Sequence, residues 1–153
     1  READIALRAF RPTQPDLIAR RLADIPFHPY AAREYLAALG PPRQRADFAE
    51  AEFLRFNRAP ELVVALQGLG LPITERNFTM TAENHLVQWE LVKAGLGIGV
   101  MPAAVGHAEP AVQRILDDLP PLVSELWLVT HRELKTSARV RRVFDFLAEA
   151  LTG

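Results

Sequence analysis

The run ENHLVQWELVKAGLGIGVMP, residues 83–102, sets an amphipathic stretch directly against Gly95, Gly97 and Gly99, a short apolar segment and Pro102. Leu86, Val87, Leu91 and Ala94 recur at helical spacing, so the spacing predicts a helix over about 82–94. Gly95 stands where a left-handed residue closes such a helix. GIGVM then reads as a buried strand, and Pro102 opens a further short helix. The order helix, glycine, strand matters because phosphate cradles run the other way. An anion needs the free N–H groups of a helix N-terminus, whereas Gly95 follows a C-terminus that presents carbonyls. The GxGxG spacing also departs from the dinucleotide fingerprint, and no GK[ST] follows. Nucleotide binding by this stretch is therefore set aside. Gly97 and Gly99 instead let a strand lie close beneath a helix or a ligand.

The rest of the chain supplies similar units. Residues 4–8, DIALR, read as a short strand, and the two prolines of FRPTQPD break it. LIARRLADI, 17–25, reads as a strand, with a helix as the alternative, and FHPYA after Pro26 as another. AAREYLAALG reads as a helix ended by Gly40, Pro41 and Pro42. EFLRF, 52–56, and ITERNFTMT read as strands, and ELVVALQGLG as a helix with Pro60 in its first turn. Thr81 is expected to cap the helix that follows it. VQRIL and ELWLVT read as strands. A last helix starts near Thr136 and Ser137 and is expected to bury Val140, Val143, Phe144, Leu147 and Leu151. Strands alternating with helices predict an α/β class with largely parallel sheets.

Composition narrows the function. With 18 basic against 19 acidic residues the formal charge is −1, which speaks against direct nucleic-acid binding by this chain. The basic cluster ARVRR at 138–142 reads as a solvated helix face in preference to a nucleic-acid contact. There is no cysteine, which removes thiol catalysis and cysteine-bound zinc and favours a reducing compartment. No apolar run reaches the roughly 18 residues that span a bilayer, so no membrane partner is expected. Of the serines, Ser124 and Ser137, neither sits in a GxSxG elbow. His28, His85, His107 and His131 lack metal-ligand spacing. No catalytic residue, metal or cofactor is expected.

AGLGIGVMP after an amphipathic helix resembles a stretch of the effector-binding domain of LysR-type transcriptional regulators. EADIALR with its proline loop, L…RRL…PFHPYAAREYLAALGPP, ADFAEAEFLRF, ENHLVQWELVKAGLGIGVMP and ELWLVTHRELKTSARVRRVFDFLAEAL resemble successive parts of that domain, in order. The resemblance implies a two-lobed sensor of the type-2 periplasmic-binding-protein fold with mixed, mainly parallel sheets. Residues 1–25 with 125–153 would form lobe I and 26–124 lobe II. The opening at Arg1 is read as an N-terminally truncated lobe I. A helix-turn-helix outside the chain would then bind DNA, the full-length protein would be a cytoplasmic homodimer or tetramer, and the partner would be a small effector held in the cleft between lobes.

On that resemblance the candidate effector contacts are Arg8, Phe56, Asn57, Arg58, Thr81, Ala82, Glu83, Asn84, Met101 and Pro102. Thr81–Asn84 are expected to form a helix first turn whose N–H groups suit an anion, with simple capping as the alternative. Asn57 offers a donor and an acceptor. Arg58 could grip a carboxylate in bidentate fashion, or it belongs to a solvated loop. Arg8 is either cleft-facing or part of a surface ion pair. Met101 and Pro102 are either pocket wall or, for the methionine, core. These arginines favour an organic anion as effector. Two other readings stay open: a solute-binding protein of the same fold, and a small α/β enzyme whose catalytic residues lie in a missing N-terminal part.

Overall fold

The computed structural model describes residues 3–58 and 60–152. In chain order it contains strands β1 (Ile5–Arg8) and β2 (Leu17–Ala32), helix α1 (Arg33–Ala38), strand β3 (Phe53–Phe56), helix α2 (Glu61–Gly68), strand β4 (Phe78–Ala82), helix α3 (His85–Lys93), strand β5 (Gly99–Pro102), helix α4 (Ala103–Ala108), strands β6 (Val112–Arg114) and β7 (Leu122–His131), and helix α5 (Ala138–Leu151). These fall into two compact units, Arg1–Pro26 with Val123–Gly153, and Phe27–Leu122. Among the described residues no helix is long and apolar enough to cross a membrane.

In the first unit, β7 is bonded to β1 on one side and β2 on the other. β1 and β7 run antiparallel, with Ile5 opposite Thr130 and Arg8 opposite Trp127. Ser137 caps α5 by accepting a hydrogen bond from the Val140 N–H at 3.4 Å. Val140 and Ala148 are buried along α5, and Phe144, Leu147 and Leu151 pack with Leu22 and Leu128. Val143, expected in this stripe, is 46% exposed. At about 100° per residue it lies some 80° from the mean direction of the buried set, too far round the helix to reach the sheet.

In the second unit the final residues of β2 pair antiparallel with β5, Phe27 opposite Pro102 and Tyr30 opposite Gly99, and with β6 from Tyr30 to Ala32. The two strands read on either side of Pro26 are thus one, and it carries both Pro26 and Pro29. β3 and β4 form a separate parallel pair. The α/β alternation is present with mixed pairing: β3/β4 is parallel, whereas β1/β7, β2/β5 and β2/β6 are antiparallel. Alternation yields parallel pairing only where a strand lies beside the strand its helix returns from. β3 and β4 do so, whereas β2 takes its neighbours from later returning strands. ITERNFTMT is also only partly strand. Its first half is a 3₁₀ turn, Glu75–Asn77, held by reciprocal bonds between Thr74 and Asn77.

One core of this unit centres on Phe48, Phe53, Leu66 and Ile98, and another on Tyr30, Leu54, Trp89, Val92, Met101 and Val112. Helix α3 ends in a Schellman motif. Gly95 (φ 86°) donates to the Val92 carbonyl at 3.0 Å and Leu96 to the Leu91 carbonyl at 3.1 Å. The chain then passes so close to β3 that a Cβ on Gly97 would lie 2.6 Å from Leu54 Cδ1 and 2.8 Å from the Glu52 carbonyl oxygen. That approach makes two backbone bonds, Ile98 N–H to Glu52 at 2.9 Å and Leu54 N–H to Ile98 at 2.8 Å.

Candidate functional site

The site is built from three chain segments of the second unit that run the same way. β3 and β4 are parallel, and Ile98 bridges Phe53 in the parallel sense. Their C-terminal ends therefore lie at one edge. Each is followed by a helix: β3 by α2, β4 by α3, and β5 by α4. Ligands collect at such edges because strand ends and helix N-termini leave backbone polar groups unused by the sheet.

At the β3 end the ladder continues one residue past the strand, as the Asn57 N–H donates to the Ala82 carbonyl at 3.1 Å. Asn57 takes φ 54°, the left-handed region that asparagine tolerates better than most residues. This turns the chain away from the sheet and leaves Asn57 and Arg58 exposed. Arg58 forms no ion pair among the described residues. At the β4 end, Thr81 lies opposite Arg55 and Ala82 opposite Phe56.

The expected cap moves. β4 runs to Ala82, so Thr81–Asn84 are not a helical turn, and Asn84 rather than Thr81 caps α3. The Asn84 Oδ1 accepts from the N–H groups of Leu86 at 2.8 Å and Val87 at 3.3 Å. Thr81, Glu83 and Asn84 are exposed and Ala82 is buried.

His85 opens α3 and is exposed. Its ring stacks on Phe56, with centroids 3.8 Å apart and planes inclined by 22°. No periodicity joins residues 56 and 85; only the β3/β4 register brings them together. Met101 is buried in the core with Tyr30 and Trp89, so it backs the site from beneath, while Pro102 is half-buried where β5 gives way to α4. Arg8 belongs to the first unit and lies at the end of β1 opposite Trp127. Among the described residues no three histidine, aspartate or glutamate side chains cluster closely enough to hold a metal ion.

Two further polar side chains of this unit are buried. Gln88, on α3, reaches the Leu54 carbonyl at 3.5 Å. His28, on β2, is 9% exposed, and burial first, then the nearby Arg114 charge, holds its imidazole below the usual histidine range.

The family model for the LysR substrate binding domain matches residues 1–152. The chain belongs to that family. Solved LysR-type structures agree. The regulatory domain of CrgA, a LysR-type transcriptional regulator from Neisseria meningitidis, superposes with a TM-score of 0.82 at 27% identity, over 98% of this chain and 76% of that one. The CrgA structure of greater length gives 0.81 at 27% identity, over 99% of this chain and 53% of that one. The AmpR effector binding domain from Citrobacter freundii shares the fold, with a TM-score of 0.78 at 17% identity over 97% of this chain and 74% of its own. The chain thus spans about three quarters of the isolated LysR regulatory domain and about half of the longer CrgA chain. No curated protein matches it in sequence. The fold is accordingly the periplasmic-binding-protein-like α/β fold of LysR sensors.

Proposed function

We propose that this LysR domain senses a small organic anion held at the C-terminal edge of β3 and β4, and that binding transforms nothing. The observation that carries the reading is the convergence of the β3 and β4 ends on one edge, with Arg58, exposed and in no ion pair among the described residues, beside Asn57. In this reading Arg58 grips the carboxylate, and Asn57, Thr81, Glu83 and Asn84 supply the remaining polar contacts. Phe56, Ala82, Met101 and Pro102 form the apolar wall. Residues 1–25 with 125–153 act as one lobe and 26–124 as the other.

The effector shifts the population of lobe arrangements, and a DNA-binding helix-turn-helix elsewhere in a longer, cytoplasmic regulator reads that shift. Homodimers or tetramers are the expected assembly of that regulator. A thermal-shift screen of small carboxylates tests the proposal. At one hundred times its Kd a ligand stabilises by about 2.7 kcal/mol, which for a chain of this size raises Tm by roughly 5–10 °C. Arg58→Ala should remove most of that rise while leaving the unliganded Tm in place. Silence across the panel, or a rise that survives Arg58→Ala, would overturn the assignment.

A further inference from the structure

Helix α5 carries a second apolar stripe beside the one it buries. Val143 and Phe146 are 46% and 68% exposed, and Ala150 is exposed with them. Their spacing, three residues and then four, is that of a heptad seam. At about 100° per residue this stripe is turned some 110° from the buried set, so the sheet does not cover it. Phe146, Glu149 and Ala150 line a shallow depression there. They stand at three of the four corners of a hole that takes a knob from a facing helix.

The charges of α5 are reversed for a helix on its own. Arg139, Arg141 and Arg142 come first and Asp145 and Glu149 follow, with no acidic residue in the first turn and no basic residue in the last. The helix dipole favours the opposite order at each end. Nor are these charges satisfied within the chain. Among the described residues Arg142, Asp145 and Glu149 form no ion pair, and Arg139, with its side chain 85% exposed, reaches Asp4 only at 3.9 Å.

A second α5 laid antiparallel on the stripe satisfies both features. Its negative half then faces the positive half of the first, with Arg142 beside Glu149 of the second copy and Glu149 beside its Arg142. A two-fold contact requires this reciprocity. Arg139 meets the carbonyl end of the facing helix, where a cation is favoured. Phe146 lies near the axis, and Val143 of the second copy enters the depression. A parallel pair would instead set arginine against arginine and glutamate against glutamate.

We propose that this outer stripe of α5 is an interface with a second copy of the chain, antiparallel and two-fold about Phe146. A seam of three apolar residues a side covers less than the roughly 1,000 Å² of a stable interface, so the contact is weak, reversible and screened by salt.

Sedimentation equilibrium over a series of chain concentrations tests it. The average mass should climb from one chain toward two, and less steeply in high salt. Arg142→Glu and Glu149→Arg should each weaken association about tenfold or more, and the chain with both changes should regain it to within about threefold. Phe146→Asp, a change at an exposed residue, should abolish association at unchanged Tm. Because the chain has no cysteine, Arg142→Cys and Glu149→Cys chains can be mixed and oxidised, and they should cross-link to each other faster than either does to itself. Four outcomes overturn the proposal. The first is a single-chain mass at every concentration. The second is association that survives Phe146→Asp. The third is a double charge reversal that associates no better than the single ones. The fourth is faster linking of either cysteine chain to itself.

Discussion

Replacing Gly106 by alanine should break the packing that seats α4 against β2. A Cβ at 106 would lie 2.1 Å from Cζ, 2.2 Å from Cε2 and 2.4 Å from Cε1 of the Tyr30 ring, well inside the 3.0 Å that real Cβ contacts respect. The ring has nowhere to retreat. It is 2% exposed, His28 and Trp89 meet it edge-on at 6.4 and 6.1 Å, and its hydroxyl donates to the Ala103 carbonyl at 3.3 Å. Overpacking of this sort costs about 1–3 kcal/mol, and loss of the hydroxyl bond adds about 1 kcal/mol. Alanine's better helix propensity offsets up to about 1 kcal/mol. The net loss should be about 2 kcal/mol, lowering Tm by roughly 4–8 °C. Urea unfolding in a double-mutant cycle with Tyr30→Leu isolates the cause, since without the ring the added methyl has space. Gly106→Ala should then be nearly neutral, with a coupling of about 2 kcal/mol. Equal loss in both backgrounds, or none in the parent, would refute the clash as its origin.

Two further predictions concern buried polar groups. Asn77, 6% exposed, donates to the Ala49 and Ala51 carbonyls at 2.9 Å each and accepts from the Thr74 N–H at 2.9 Å. Asn77→Ala should lower stability by about 3 kcal/mol, seen as a lower urea midpoint at an unchanged slope. His28 has a folded-state pKa depressed below its ordinary value, chiefly by burial and then by Arg114. The unfolded chain therefore binds the proton more readily. The contribution of this group is intact above about pH 6.5 and falls away as pH drops below it. Urea midpoints at pH 7, 6 and 5 should show a smaller acid loss for His28→Phe than for the parent; equal slopes would contradict this.

Much of the fold is legible in local signals. Gly40 and Gly95 mark the helix ends where the structure places left-handed residues, and Ser137 caps the last helix as its position suggests. What local signals do not carry is partnership between strands. Pro26 looks like a break, yet β2 runs through it, because proline removes one donor without preventing extended backbone. Threonine and asparagine are both good caps, and only the length of β4 decides for Asn84 over Thr81. The stacking of His85 on Phe56 depends on the same long-range register and has no signature in the chain. The proposed edge residues are likewise scattered over positions 56–58, 81–84 and 101–102. They could be grouped only through a family likeness, which supplied the strand order that spacing alone lacks.

The most direct test is amide chemical-shift mapping with whichever carboxylate raises Tm most. The account predicts saturable shifts at Phe56, Asn57 and Arg58 and at Thr81 to Asn84, both sets lost in Arg58→Ala. A stabilising anion that leaves those amides unmoved would contradict it.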